Sequence, residues 1–291
     1  MNRKKVAKIA EIILLFVLIA VFFVLVVTEF GFFPTSPSYN PLIGRWNHEQ
    51  IEKIKSEQTN NFSFAVLSDS HVNPNTGANS ETFKYILGDI NKNNYAFAID
   101  VGDLVVGSAT PAAPFFYDII KDEKTPFLVA VGNHDFEQDK GAYFLGTFGN
   151  FYYSFSHGNS LFIVFNDASA GVRDADQMAW LESQLKRSYQ HKFVFMHIPF
   201  YDPRPGINHD LSAFPVEAKE LSDLMEKYKP DDVFFGHIHA NYDWTKNGVE
   251  YITTGGAGGG AVGNNPEHDF HNYIKVQVNG NKITKQVIKI P

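Results

Sequence analysis

Residues 62–71 read FSFAVLSDSH. The run of Phe, Ala, Val and Leu predicts a buried strand over Phe62–Leu67. It stops at Ser68-Asp69, residue types whose side chains bond the local backbone and favour turns. The same punctuation recurs along the chain. Phe97–Val101 runs into Gly102-Asp103, and Phe127–Val131 into Gly132-Asn133-His134-Asp135. Phe193–Met196 runs into His197, and Val233–Phe235 into Gly236-His237-Ile238-His239. Short apolar strands that each end in a carboxylate, an amide or an imidazole have a clear use. In layered α/β folds, ligands bind beyond the carboxyl ends of the strands, so these side chains can converge without disturbing the core. Asp, His and Asn together suit borderline divalent cations such as Zn, Mn and Fe. They are too many for one tetrahedral zinc and fit two ions sharing a bridging carboxylate.

The rest of the chain reads coarsely. Helices are predicted over Glu81–Ile90 with Ser80 as N-cap, over Asp174–Tyr189 and over Ser212–Tyr228. Tyr152–Ser156 and Leu161–Phe165 read as a hairpin, and Tyr251–Thr254 as a strand entering the glycine-rich run Gly255–Gly263. Tyr273–Val278 and Lys282–Ile290 flank Asn279-Gly280, a type I′ turn signal. Strands and helices alternate early and strands dominate late, which predicts an α/β layered domain. Residues 45–58 read as a short polar helix before a body that starts near Phe62. His48, His157 and His191 read as surface residues.

The ordered blocks D-x-H, G-D, G-N-H-D, a lone His and G-H-x-H resemble the calcineurin-like metallophosphoesterases, over about Phe64 to Gly256. The resemblance implies a four-layer αββα sandwich of two mixed β-sheets flanked by helices. It implies that Asp69, His71 and His239 hold one metal, that Asn133, His197 and His237 hold a second, and that Asp103 bridges them. His134 would protonate the leaving oxygen or steady the phosphoryl group, with Asp135 orienting it. The implied cofactors are two divalent ions (Mn, Zn or Fe). The implied reaction is hydrolysis of phosphate mono- or diesters by a hydroxide that the ion pair activates. Where purple acid phosphatases place a Tyr three residues after the bridging Asp, this chain has Val106, which argues against an obligatory ferric ion. Two cations about 3.5–4 Å apart activate a water and neutralise phosphoryl oxygens. A nearby imidazolium that protonates the leaving group adds about 10²–10⁴-fold.

Arg173, Arg204 and His209 lie in loops that could contact a phosphate, Arg through bidentate hydrogen bonds. The Gly255–Gly263 run lacks the G-K-[ST] ending of a nucleotide P-loop and reads as a site wall. There is no G-x-S-x-G, which excludes that serine-hydrolase class.

The formal charge is −7, with Arg3, Lys4, Lys5 and Lys8 leaving the acidic excess to the rest of the chain. An acidic body lacks the basic footprint of nucleic-acid binding. There are 0 Cys, so neither a disulfide framework nor a thiolate metal site is available. Ile12–Val27 is sixteen residues without a polar side chain, and with flanking apolar residues it reaches spanning length. Basic residues precede it, which predicts a cytoplasmic N-terminus and an extracytoplasmic body. The competing cleaved-signal reading lacks a small-x-small cleavage site after Val27. The sequence thus divides into a basic tail (1–5), a transmembrane signal-anchor (6–28), a linker with a short helix (29–61) and a metallophosphoesterase domain (62–291). The expected partners are a phosphate ester and the lipid bilayer, in a single-pass protein of the cell membrane. The alternative of a different class is a binding or scaffold protein on a catalytically decayed phosphoesterase fold; such proteins lose ligands, and none is missing here.

Overall fold

The computed structural model describes residues 43–55, 59–75, 77–107, 112–168, 175–204, 215–260 and 265–291. The tail, anchor and most of the linker read from the sequence lie outside them. Among the described residues no helix is long and apolar enough to cross a membrane.

Two mixed sheets form the body. In the first, β1 (Asn61–Leu67), β2 (Phe97–Asp100) and β3 (Phe127–Val129) run parallel. On the other side of β1 the antiparallel pair β10 (Asn272–Asn279) and β11 (Lys282–Lys289) completes the order β11-β10-β1-β2-β3. In the second, β5 (Ser160–Val164), β6 (His191–Phe195), β7 (Asp232–Phe235) and β9 (Val249–Thr253) are parallel. The strands β4 (Tyr153–His157) and β8 (Tyr242–Lys246) pair antiparallel at its edges.

The period-2 alternation of strands explains the layers. Phe62, Phe64 and Val66 of β1 face the second sheet, while Ala65 and Leu67 face the helices. Between the sheets Phe64 stacks on Phe97 at 5.0 Å and Phe162 on Phe193 at 5.3 Å. This is where many of the 27 Phe residues go; truncating one such ring costs about 3–5 kcal/mol. Helices α2 (Gly77–Ile90), α3 (Ala112–Ile120) and α4 (Ala142–Thr147) cover the first sheet through Phe83, Phe116 and Phe144. Helices α5 (Ala175–Leu185) and α6 (Pro215–Tyr228) cover the second through Leu181, Leu185, Leu221 and Met225. The body is thus an α/β fold of two mixed sheets with helices outside both.

Several sequence expectations are corrected. The short helix α1 (Trp46–Ile54) packs on the body, burying Trp46, Asn47, Gln50, Ile51 and Ile54 along one stripe. Trp46 Nε1 donates to Phe127 O at 2.7 Å, and the Asn47 amide both donates to and accepts from the Val129 backbone at 3.0 Å. Those bonds satisfy the otherwise open edge of β3. Ser80 lies inside α2, its hydroxyl donating to Asn73 O at 3.2 Å, because the helix starts a turn earlier than expected. The last hairpin turns at Gly280-Asn281, since Asn279 still pairs with Lys282. Only Gly280 has positive φ there, the type II′ pattern. The type I′ turn is instead at Asn247 (φ 52°) and Gly248 (φ 84°), joining β8 to β9. His157 and His191 are buried: His157 meets the Phe62 ring edge-on at 4.6 Å, and His191 Nε2 lies 3.0 Å from Gly280 O.

Candidate metal centre

The loops leaving β1, β2, β3, β6 and β7 all emerge at the same end of the sandwich. Hydrogen bonds continue past the strands: Asp69 N donates to Gly102 O at 2.9 Å, His71 N to Asp103 O at 3.0 Å, and Gly236 N to His197 O at 3.0 Å. Ladder geometry therefore carries the register of the core into the site.

Three ligand groups result among the described residues, two of them separate and a third, His71, Asp103 and His134, lying between them and overlapping both. Asp69, His71 and His239 bring one ligand atom each within 4.8 Å of one another, as do Asp103, His197 and His237. In the first, His239 Nε2 lies 3.2 Å from His71 Nε2 and 3.3 Å from Asp69 Oδ1. In the second, His197 Nε2 lies 3.2 Å from Asp103 Oδ2, and His237 Nδ1 lies 3.0 Å from Asn133 Oδ1. Asp103 Oδ2 is also 3.6 Å from His71 Nε2, so this one carboxylate oxygen faces both clusters. His134 Nε2 stands 3.9 Å from the same oxygen.

The backbone is strained where the ligands sit. Asp69, His71, Asp103, His237 and His239 all have left-handed φ, between 43° and 69°. Non-glycine residues in that region are uncommon, and such strain concentrates at functional sites. The glycine-rich segment forms one wall. A Cβ on Gly259 would come within 2.6 Å of both the His239 and His71 rings, so only glycine permits this approach. Gly259 N donates to Asp69 O at 2.8 Å, and His239 Nδ1 donates to Gly260 O at 2.7 Å, leaving its Nε2 facing the cluster.

Electrostatics sets the groups apart. Burial opposes ionisation of Asp69 and Asp103, yet His239 beside the first and His197 beside the second hold both below the ordinary carboxylate range. Burial lowers His71 to about 4; burial and the neighbouring His197 lower His237 to about 4. Burial also disfavours charge on His197, but the Asp103 carboxylate outweighs it and pushes the ring up to about 10.

One atom tests whether these residues fit a metal. His197 Nδ1 donates to Val101 O at 3.0 Å, which turns Nε2 toward Asp103. That Nε2 is fully buried and, among the described residues, makes no aligned hydrogen bond, facing Asp103 Oδ2 at 3.2 Å instead. A carboxylate oxygen and an imidazole nitrogen 3.2 Å apart in a dry interior take a positive species between them: a proton on the ring when no metal is bound, which is why its pKa is raised, or a cation in its place. Buried carboxylates, imidazoles that give up any proton when metal binds, and an amide oxygen make a donor set for borderline divalent cations, so the residues fit.

Comparison with known proteins agrees with this geometry. The model of the calcineurin-like phosphoesterase family matches residues 62–241. The chain belongs to the calcineurin-like phosphoesterase family. It is 30% identical over 214 residues to the mouse (Mus musculus) serine/threonine-protein phosphatase CPPED1, covering 64% of this chain and 65% of that one. It is 32% identical over 129 residues to purple acid phosphatase 13 of Arabidopsis thaliana, covering 40% of this chain and 23% of that one. The chain thus spans less than two thirds of the length of either relative. Among solved structures, the fold is similar to GAP50 of Plasmodium, with a TM-score of 0.61 and 19% identity, over 79% of this chain and 84% of that one. It is also similar to the purple acid phosphatase PPD1 of yellow lupin (Lupinus luteus), with a TM-score of 0.57 and 16% identity, over 80% and 52%.

Within this calcineurin-like phosphoesterase site, the remaining expected residues fall out differently. The Asp135 carboxylate turns to the backbone: Gly132 N donates to it at 2.8 Å, Asp103 N at 3.1 Å and Leu104 N at 3.1 Å. It therefore braces the loop that carries Asp103. Burial and the neighbouring Asp103 charge push its pKa well above the ordinary value. The carboxylate beside the His134 ring is Glu137, whose Oε2 lies 3.2 Å from Nδ1 in an ion-pair approach without hydrogen-bond alignment. Asp202, fully buried, receives Arg204 Nε at 2.9 Å and Nη2 in a bidentate pair, so much of that guanidinium is already engaged. Arg173 and His209 lie outside the described residues.

Sequence reasoning missed Asp167, which accepts His197 N at 2.8 Å and Ile198 N at 3.0 Å and so fixes the loop after β6. Its only sequence signal is Asn166-Asp167 directly after an apolar strand, the same punctuation as at the ligand-bearing strands.

Proposed function

We propose that this chain is a metal-dependent phosphoesterase that hydrolyses phosphate mono- or diesters at a two-ion centre. The observation that carries the reading is Asp103: one buried carboxylate oxygen faces His71 on one side and His197 on the other, with an orphaned imidazole nitrogen beside it. Asp69, His71 and His239 would hold one ion, Asn133, His197 and His237 the other, and Asp103 both. When bound, such ions polarise the phosphoryl oxygens and make water nucleophilic at neutral pH.

The chain's own groups supply the rest. Asp103 stays ionised in the interior, which a bridging ligand requires. Val101 O and Gly260 O hold the His197 and His239 rings by their Nδ1–H, fixing the tautomer that presents Nε2 to the site. His134 stands beside the bridging carboxylate with its ring one-third exposed, where a leaving-group oxygen can reach it, and it is placed to give that oxygen a proton.

The sequence pattern of the N-terminus supports an anchored protein with this body outside the cell membrane. Protease accessibility of intact cells tests that placement, and protection of the body would overturn it. The catalytic reading is tested by elemental analysis together with hydrolysis of a panel of phosphate esters in Mn²⁺, Zn²⁺ or Fe²⁺. About two ions per chain and turnover are expected; a chain that holds metal yet cleaves no ester would be a binding protein.

A further inference from the structure

Asp100 closes β2 with a side chain that has no place in an ordinary core. Its strand neighbour Ala98 packs under the helices, and Ile99 and Val101 face the second sheet. Alternation puts Asp100 on the face of Ala98, where an apolar residue is expected. The residue is fully buried. Ser70 Oγ donates to Asp100 Oδ2 at 2.6 Å and Gly102 N donates to Oδ1 at 3.2 Å. Among the described residues it makes no ion pair.

Its two partners matter. Ser70 sits between Asp69 and His71, and Gly102 directly precedes Asp103. Both segments are left-handed at their ligands and run side by side, with Ser70 Oγ also 3.4 Å from Leu104 O. Backbone bonds already join the two loops, Asp69 N to Gly102 O, His71 N to Asp103 O and Val72 N to Leu104 O; the Asp100 carboxyl adds a buried side-chain tie that reaches Ser70 on one loop and Gly102 on the other.

We propose that Asp100 is a positioning residue whose buried carboxyl locks the loop bearing Asp69 and His71 in register with the loop bearing Asp103, presetting the site for two cations. The inference rests on the metal-centre reading above and adds to it a residue outside the ligand set. Burial is costly for this group, and it pushes the pKa up to about 8 even though the Ser70 hydrogen bond pulls the other way. A carboxyl kept at such cost in a position that suits an alanine or valine is the mark of a site requirement rather than a packing one.

The two roles separate experimentally. Mn²⁺ is titrated calorimetrically into the metal-free full-length chain, and the metal-free protein is melted in parallel, for wild type, Asp100→Leu, Asp100→Asn and Ser70→Ala. Asp100→Leu is expected to weaken Mn²⁺ binding by about 10–100-fold, the range for supporting partners of ligands, with an unchanged or higher metal-free melting temperature. Asp100→Asn, which keeps an acceptor for Ser70, restores most of the affinity. Ser70→Ala weakens binding while leaving the chain folded. Wild-type Mn²⁺ affinity in Asp100→Leu overturns the inference, as does a loss of affinity matched by a drop in metal-free melting temperature. If Asp100→Leu does not fold, wild-type affinity in Ser70→Ala overturns it instead. A wild-type chain that takes up no Mn²⁺ overturns the metal-centre reading, and this inference with it.

Discussion

Strand β7 begins at Asp232 and leads into His237, and its two ends treat buried charge in opposite ways. At the start, Lys285 reaches across from β11 of the other sheet. Its Nζ lies 2.6 Å from Asp232 Oδ1 and 2.8 Å from Glu250 Oε2, stapling the sheets together. There the chain supplies its own cation. Past the finish, Asp69 and Asp103 find among the described residues only imidazoles as ion-pair partners. Backbone strain follows the same division: five of the eight non-glycine residues with positive φ among those described are at the ligand end. A fold that can neutralise a buried acid with a lysine, and does so at one end of a strand, leaves the other end for a cation from outside.

The sharpest break of this contrast is Asp103→Asn. The neutral amide removes the group that faces both clusters, so turnover of any phosphate ester should fall below detection and bound metal below two ions per chain. Retained activity would show that the ligand end needs no shared charge. His134→Ala is the next largest effect. It should lower kcat by about 10²–10⁴-fold with metal content unchanged by elemental analysis, because the ring, although within ligand range of His71 and Asp103, is not needed to complete either ion site drawn from Asp69, His71, His239, Asp103, Asn133, His197 and His237. Metal loss in that variant would make His134 a ligand rather than a proton donor.

The ligand end was largely legible in the sequence, for a physical reason. Residues able to bind metal are of few types, and here they follow strands, so the candidate ligands Asp69, Asp103, Asn133, His197 and His237 announce themselves by position. Groups that support the ligands through space carry no such mark. Asp100 hides inside a strand, and Glu137 hides in a loop and takes the place beside His134 that the adjacent Asp135 was expected to fill. Left-handed φ at Asp69 or His239 is equally silent, since it arises from loops pinned to each other after folding. In the fold, the apolar strands were legible even when short, whereas the edge strand β8 was not. Its residues YDWTK alternate only Tyr242 and Trp244 with polar residues and none is fully buried, so the Asn247-Gly248 turn behind them is the clearer hairpin signal. The helix α1 read as polar because its buried stripe includes Asn47 and Gln50, of which Asn47 serves the edge of β3 rather than an apolar core.

Gly236→Ala probes how tightly the ligand end is built. A Cβ there would stand 2.6 Å from Asp69 Oδ2 and 2.7 Å from the Ser68 hydroxyl. Those atoms form a closed chain of contacts, with Ser68 Oγ donating to Asp69 Oδ2 at 2.5 Å and also touching the Thr254 hydroxyl. Overpacking of this kind costs up to about 3 kcal/mol, read by urea unfolding, and should weaken Mn²⁺ binding in the same protein. A variant of wild-type stability and affinity would mean that the loops give way easily.

The smallest effect belongs to the stapled end and concerns pH. Burial raises Asp232 from its ordinary value of 3.8 to about 6, against the pull of Lys285, and its Oδ2 finds no donor among the described residues. Between those two values the folded chain binds more protons than the unfolded one, so this group's contribution to stability is fully present below pH 4 and is lost as pH rises through 6. Asp232→Asn removes that dependence. Its stability relative to wild type should rise by about 2 kcal/mol between pH 4 and pH 7, measured by urea unfolding at each pH. At pH 4 the variant can still be the weaker protein, because Lys285 then keeps only Glu250. The slope, rather than the sign at one pH, separates a carboxylate held charged at a cost from one that its lysine has made comfortable: a flat difference across the window would show the staple fully neutralised, and the two ends of β7 more different still.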